Sequence, residues 1–414
     1  VTAGSVLAPP TGRAYGGRGA TTPARPVEGE VLKLYVDSTS LSLLRQVADF
    51  VACADREDVF KVATWLRLPL TAEQMGGRNA HFVPQTAAVS GDFVDVVGRL
   101  VQARRFERIE IHANQHHAGK SVVPLLRELC LLVPDARERI SLDLYDDGNI
   151  GLLEREVLKR QRDPERQVAA AANDLRRAVL ARQPLLWGIA QSYAWQHLFP
   201  TRYHLLRRDI LLRDEPGRRL HAYLEPYAAD MSFDGLPDLS PQQVEHYLGL
   251  FGLDGEQVAG LAELAADDSA LLFTATGAWD DEFDARLAAS QIEAIAALRA
   301  DGTIPAGTRL AFKGHPANLA NHAAIAAALG DDVVHVPARA PLELFAVLGL
   351  LPRRYGGVVS SAQFTIPADR LQFLLTDRTA VSGGPDAPLL DLMLESGLVS
   401  PHQVVPVLVP MTLT

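Results

Sequence analysis

From Val31 onward, short runs rich in β-branched residues alternate with longer stretches whose apolar residues recur at helical spacing. The first series of such runs is VLKLYV (31–36), DVFKVAT (58–64), RIEIHA (108–113) and ISLDLY (140–145). A second series comprises ALLFTAT (270–276), TRLAFK (308–313), DVVHVP (332–337), GGVVSS (356–361) and LQFLLT (371–376), separated by helical stretches such as ANLANHAAIAAAL (317–329). Parallel neighbours need a crossover that is usually a helix, so this alternation predicts parallel sheets covered by helices. Two series of comparable length predict an α/β protein of two doubly wound domains facing one another across a cleft.

Between the series lies a charged, Ala-rich region, EREVLKRQRDPERQVAAAANDLRRAVLAR (154–182), interrupted by Pro164. It is too polar for a core and predicts a helix pair or a hinge-proximal helix on the surface. Residues 1–29 are rich in Gly, Pro, Ala and Thr and lack the apolar centre of a signal peptide, which predicts a disordered leader. No repeat of fixed period is present.

Composition narrows the function classes. A chain of 414 residues exceeds the size at which one core usually stops growing, in keeping with two domains. A net charge of -10 argues against wholesale attraction to nucleic acid or anionic membrane. The two cysteines, Cys53 and Cys130, sit in apolar helix-like stretches and read as buried free thiols, which fits a reducing cytoplasm. No apolar run approaches the length of about 20 residues that spans a bilayer, which leaves peripheral membrane association open.

In doubly wound sheets ligands sit outside the carboxyl ends of the strands, so candidate chemistry lies just after each run. ISLDLY is followed by Asp146, Asp147 and Gly148. Neighbouring side chains of a strand point to opposite faces, so one aspartate and not both should reach a cleft. Capping of the next helix, a metal-binding diacid and a general base all fit such a pair. TRLAFK ends on Lys313 and continues with Gly314, His315 and Pro316, two proton donors with a close backbone approach between them. YGGVV ends in Ser360 and Ser361, whose hydroxyls and backbone N–H groups at a helix start suit either an anion or a helix cap. Glu343 opens a helix, and Trp279 follows FTATGA as a core aromatic or a cleft wall. His112, His116 and His117 lie close together but lack a carboxylate or cysteine at zinc spacing.

The order and spacing of these pieces resemble the bacterial sialyltransferases of the Pasteurella and Photobacterium type, glycosyltransferase family 80. The most specific blocks are LDLYDDG (142–148), YAWQHLFPTRYHLL (193–206), FTATGAW (273–279), FKGHP (312–316) and GLLPRRYGGVVSS (349–361), with LKLYVDSTSLSLLRQVADF (32–50) also similar. The resemblance implies a GT-B fold and an inverting, metal-independent transfer of sialic acid, or a related nonulosonic acid, from its CMP ester to a sugar hydroxyl such as that of a galactoside. It implies no cofactor beyond the CMP-sugar donor, and a glycan acceptor as partner.

The resemblance places the first Rossmann-like domain at 30–195, completed by 378–414, and the CMP-sugar domain at 196–377. It implies that Asp147 is the base and Asp146 structural, and that His315 assists the leaving phosphate. Lys313, Ser360, Ser361, Glu343 and Gly148 would serve the CMP half, with Glu343 on the ribose. His117 and Trp279 would lie at the reacting centre and the acceptor sugar. Two departures stand out: Trp65 falls where the relatives carry an arginine, and HFVPQTAAVSGD (81–92) lacks an asparagine of theirs. Both fall on the sugar side, which keeps open a different nucleotide sugar or a non-catalytic relative that binds nucleotide or glycan.

Overall fold

The computed structural model describes residues 30–71, 73–75, 79–85, 91–231, 236, 239–278, 280–315, 319–338, 340–380, 383 and 387–409. The expected leader, residues 1–29, lies outside them.

Strands β1 (Val31–Asp37), β2 (Val59–Trp65), β3 (Ala80–Phe82), β4 (Arg108–Asn114), β5 (Ile140–Tyr145), β6 (Thr201–Leu205) and β7 (Ala228–Asp230) form one sheet in the order β3-β2-β1-β4-β5-β6-β7. Strands β8 (Leu271–Thr274), β9 (Leu310–Lys313), β10 (Val334–Val336), β11 (Arg354–Val358), β12 (Leu371–Asp377) and β13 (Val404–Leu408) form a second, ordered β10-β9-β8-β11-β12-β13. Every described pairing is parallel. All nine runs singled out in the sequence are strands. The four further ones, β3, β6, β7 and β13, are short or polar and flank the two sheets.

Each sheet reverses its winding once, between β1 and β4 in the first and between β8 and β11 in the second. At such a switch point the flanking connections leave in opposite directions and open a crevice. The two crevices face each other.

The division of the chain differs from the expectation. Strands β6 and β7, beyond residue 195, belong to the first sheet, where β6 pairs with β5 from Leu142↔Thr201 to Tyr145↔His204. Strand β13, in the segment assigned to the first domain, pairs instead with β12 of the second. The helix Ala387–Glu395 does return to the first domain, where Glu395 Oε2 takes a hydrogen bond from Arg213 Nη1 at 3.3 Å. Strands this short carry too little alternation to announce which sheet they join.

Pro164 starts a helix rather than breaking one. Asp163 caps the helix Pro164–Leu180 by accepting from Arg166 N, and Pro at the first turn lacks only an N–H that would have been unpaired. Despite its charge this helix buries Val168, Ala171, Ala172, Leu175, Ala178 and Val179.

The domains meet through the helix Leu41–Ala52 of the first and the helix Pro241–Leu250 leading into the second. Tyr247 is buried there and donates to Leu44 O at 3.3 Å. Behind β5, Asp146 is 1% exposed and its Oδ2 accepts from Arg155 Nη1 at 2.6 Å and from Leu206 N at 2.9 Å. Arg155 Nη2 donates in turn to Leu206 O at 2.6 Å. One ion pair thereby ties together the end of β5, the helix Asn149–Lys159 and the exit of β6. Removing one partner of such a pair leaves an uncompensated buried charge. Arg155→Met is therefore expected to lower unfolding stability by about 3–5 kcal/mol, read as a lower urea midpoint.

Candidate active site

A cleft of about 450 Å³ opens between the switch points, lined by the ends of β1, β5, β8, β9 and β11. From the first domain come Ser38, Thr39, Arg67, His117 and Asp147; from the second come Lys313, Gly314, His315, Glu343, Ser360 and Ser361. Of the residues expected to share a site, Asp147, His117, Lys313, His315, Glu343, Ser360 and Ser361 line this cleft, with three exceptions. Gly148 lies behind the lining against Ser361, and Trp279 is outside the described residues.

Trp65 is the third exception and a correction. It is 1% exposed, packed edge-on against Tyr35 and Phe50, and donates from Nε1 to Gln46 Oε1 at 3.0 Å. On β2 it points into the layer beneath the helix Leu41–Ala52, so it cannot touch a sugar. Arg67, two residues further and past the strand's end, brings the guanidinium to the cleft wall.

Asp146 and Asp147 divide as strand geometry requires. The inner carboxylate belongs to the Arg155 lock, and its Oδ1 also accepts from Asp147 N at 2.9 Å, which fixes the peptide that carries the outer one. Asp147 lines the cleft half-buried. Burial pushes its carboxyl up to about 6, against hydrogen bonds from the Thr39 and Asn114 side chains and the charge of His116. His116 is itself raised, chiefly by its bond to Glu154, with Nδ1 2.9 Å from Oε1. A carboxylate tuned toward neutrality is the stronger base once ionised.

His117 caps the helix Ala118–Leu132 from the cleft side, and its Nδ1 meets the Ser38 hydroxyl. Burial, His116 and Lys120 all push its pKa down, which keeps the ring neutral. His112 is absent from the cleft; it is buried on β4, stacked on Tyr35 with centroids 4.9 Å apart. Among the described residues no cluster of His, Cys, Asp or Glu has the arrangement of a metal site.

The second domain offers cations and hydroxyls. Lys313 is buried, with Nζ donating to Ala338 O at 2.7 Å, and burial holds it down to about 8 against the pull of Glu343. Glu343 is buried too and raised for the same reason. His315 stands exposed at the rim, where partial desolvation by the cleft wall and the charges of Lys313 and Arg67 push its pKa down. Ser360 Oγ accepts from Ala362 N at 3.3 Å and closes a capping box with Gln363, so the Ser360–Ser361 turn is rigid. The conformation at Gly357 keeps β11 close to β8: its φ is +146°, and a Cβ there would lie 2.2 Å from Thr274 O. This side of the cleft is therefore a preorganised set of hydrogen-bond donors.

Sequence reasoning missed Arg67, Ser38, Thr39, Asn114 and the His116–Glu154 pair. Asn114 ends β4, and all the others but Glu154 stand just past a strand's carboxyl end, the position already singled out for the aspartates and serines.

Two parallel-sheet domains that meet at their switch points, with a carboxylate on one side and a donor ring on the other, define a GT-B glycosyltransferase. The chain belongs to the family described as sialyltransferase PMO188, whose family model matches residues 32–383. It is similar to the crystal structure of a sialyltransferase from Photobacterium damsela, with 26% identity and a TM-score of 0.78 over 91% of this chain and 81% of that one. The GT-B domain of the Photobacterium damselae enzyme alone matches at 26% identity and TM-score 0.78, with 90% and 99% of the two chains covered. A 2,6-sialyltransferase of Photobacterium sp. JT-ISH-224, in ternary complex with CMP and lactose, shares the fold at 23% identity and TM-score 0.79, covering 92% and 81%. No curated protein sequence matches this chain.

Gly148 is where the halves touch. Its φ of +64° suits glycine, and an added Cβ would lie 2.8 Å from Ser361 Cβ across the cleft. Gly148→Ala is expected to combine backbone strain of about 1–3 kcal/mol with a wider cleft at Ser361. Urea unfolding should show the first, and weaker CMP binding by calorimetry the second.

Proposed function

We propose that the enzyme transfers sialic acid, or a related nonulosonic acid, from its CMP ester to a galactoside hydroxyl, inverting the anomeric centre without a divalent metal. The observation that carries this reading is the placement of Asp147 across one cleft from Lys313, His315, Ser360 and Ser361. The family and the CMP and lactose bound by the Photobacterium 2,6-sialyltransferase support the choice of donor and acceptor.

A sugar hydroxyl is a poor nucleophile until its proton is accepted. Asp147 takes that proton as the hydroxyl oxygen attacks the anomeric carbon, and the bond from that carbon to the phosphate oxygen breaks on the opposite face. Configuration inverts because attack and departure lie in line. The leaving CMP gathers charge as this bond lengthens, and donors aimed at it act most strongly then. Ser360 and Ser361 hold the phosphate, His315 donates to its oxygen, and Lys313 supplies charge from below. These groups provide the stabilisation that a metal ion would otherwise give. Glu343 takes the ribose hydroxyls. Arg67 serves the anionic sugar in the place where Trp65 was expected to act, and His117 serves the reacting centre.

His315 is neutral at neutral pH, yet a neutral imidazole still carries one N–H. The donor's phosphodiester brings one negative charge and becomes the CMP dianion as the bond breaks, which raises the pKa of His315 and draws in a proton, so the acid forms where it is needed. Gly148 beside Ser361 closes the site from both domains at once and limits water, which would otherwise hydrolyse the donor. Among the described residues no helix is long and apolar enough to cross a membrane. We place the enzyme in the cytoplasm, where its unpaired cysteines remain reduced.

Incubation with CMP-N-acetylneuraminic acid and lactose, followed by mass spectrometry, should yield a sialylated disaccharide. Neither transfer nor donor hydrolysis across a set of CMP-nonulosonates and galactosides would defeat the proposal. Asp147→Ala is expected to lose at least about a hundredfold in kcat with CMP affinity retained, and His315→Ala to lose a similar factor. In the wild type, kcat/KM should fall as pH drops through about 6, because the carboxyl of Asp147 then takes up the proton that disables it as a base.

A further inference from the structure

The helix Asp281–Ala300 of the second domain carries a buried carboxylate that the reaction above does not use. Asp284 is 3% exposed. Its Oδ1 accepts from Ala278 N at 2.7 Å, in the loop that follows β8, and its Oδ2 accepts from Asn321 Nδ2 at 2.5 Å, one residue ahead of the helix His322–Leu329. Two turns further along the same helix the buried Gln291 holds that loop again: its Oε1 accepts from Thr276 N at 3.0 Å and its Nε2 donates to Thr276 O at 3.2 Å. The segment so held begins at Thr274 and Ala275, which line the cleft.

The other arm of Asp284 leads to the phosphate side. A Cβ added to Gly314 would lie 2.2 Å from His322 Cε1, 2.4 Å from Nδ1 and 2.5 Å from Nε2, so the imidazole presents its face to Gly314 and only glycine leaves it room. The same ring meets Phe312 edge-on, with centroids 5.7 Å apart at 78°. It therefore touches both chain neighbours of Lys313. We propose that Asp284 and His322 are positioning residues for the departure of the phosphate: Asp284 fixes Asn321 to the loop after β8, and the His322 ring passes that placement to the Lys313–Gly314–His315 segment.

One carboxylate with a separate partner on each oxygen makes two cleft segments move as one body. If Asn321 shifts, the His322 ring shifts with it, and the backbone that carries His315 loses its support. A displacement of about 1 Å at a group that acts in the transition state costs roughly a hundredfold in rate, so such a support is felt in catalysis. His322 does not itself line the cleft, which leaves it no contact with substrate. Burial, helped by the charge of Lys313, pushes its pKa down, so the ring acts as a neutral body by its shape.

The inference rests on His315 and Lys313 serving the leaving phosphate, and its test separates the two. Asn321→Asp sets a second carboxylate against Asp284 and should break the link, lowering kcat for transfer from CMP-N-acetylneuraminic acid to lactose about ten- to a hundredfold with little change in KM for the donor. The exchanged pair, Asp284→Asn with Asn321→Asp, rebuilds the contact with donor and acceptor reversed and should recover most of the lost kcat. His322→Ala should lose a similar factor, and adding Asn321→Asp to it should cost nothing more, since both changes break one path. Without turnover, the imidazole NMR signals of His315, identified by their loss in His315→Ala, should shift in the Asn321→Asp protein with CMP bound and return in the exchanged pair. An Asn321→Asp protein that keeps its kcat while its urea midpoint falls would overturn the inference, as would losses that add in the double variant. Should Asn321→Asp not fold, Asn321→Ala, which only removes the donor, decides in its place. Full transfer by His315→Ala would instead defeat the leaving-group assignment and leave the NMR result standing.

Discussion

The site depends on the buried contact between Asp146 and Arg155. Two adjacent carboxylates at the end of a strand repel, and without a partner for the inner one both would turn to water. Arg155 holds the inner carboxylate in the interior, and Leu206 N and O close the remaining bonds on each side of the pair. With Asp146 anchored, the pleat directs Asp147 the other way, into the cleft. The same lock sets the start of the helix Asn149–Lys159 and hence the Gly148 turn that meets Ser361.

Across the cleft the physics runs in reverse. Lys313 is held below its ordinary pKa by burial, against the pull of Glu343, and His315 by desolvation and by the charges of Lys313 and Arg67, so the two carry less charge than their residue types suggest. An incoming phosphate supplies the counter-charge and raises both. In the proposed reaction the pocket is then most positive once donor is bound. An acid raised on one domain and bases lowered on the other are the tuning expected where protons move at neutral pH. The opposed shifts arise from one cause, the low polarity of a cleft shared by two domains.

Much of this was legible in the sequence. The nine main strands declared themselves through β-branched runs, and the rule that ligands sit past the strand ends located Asp147, Lys313, His315 and Ser360 before any coordinates. Trp65 misled because alignment by motif counts residues, whereas the strand decides orientation: it lies on the last residue of β2, facing the layer under the helix Leu41–Ala52, and the cation comes two residues later in Arg67. Strands β6, β7 and β13 were illegible because short strands at or next to a sheet edge gain their pairing from a neighbour already in place rather than from their own pattern. The Thr39–Asp37 contact was legible in principle, since VDSTS follows the first strand. Nothing in the sequence tells, however, that β4 brings Asn114 beside it.

That last juxtaposition explains why the base is built at a switch point. Between β1 and β4 no connection crosses above the sheet, so the ends of both strands are free to present side chains to the same spot, and β5 adds Asp147 from the next position. A hydroxyl from β1 and an amide from β4 can then reach one carboxylate, with a second carboxylate sealed beneath. Hydrogen bonds alone would depress Asp147 into the range of an ordinary surface acid, too weak a base for a sugar hydroxyl. Burial alone would push it higher. Setting these donors against burial holds the group between those limits, and only a place where several strand ends converge can supply both.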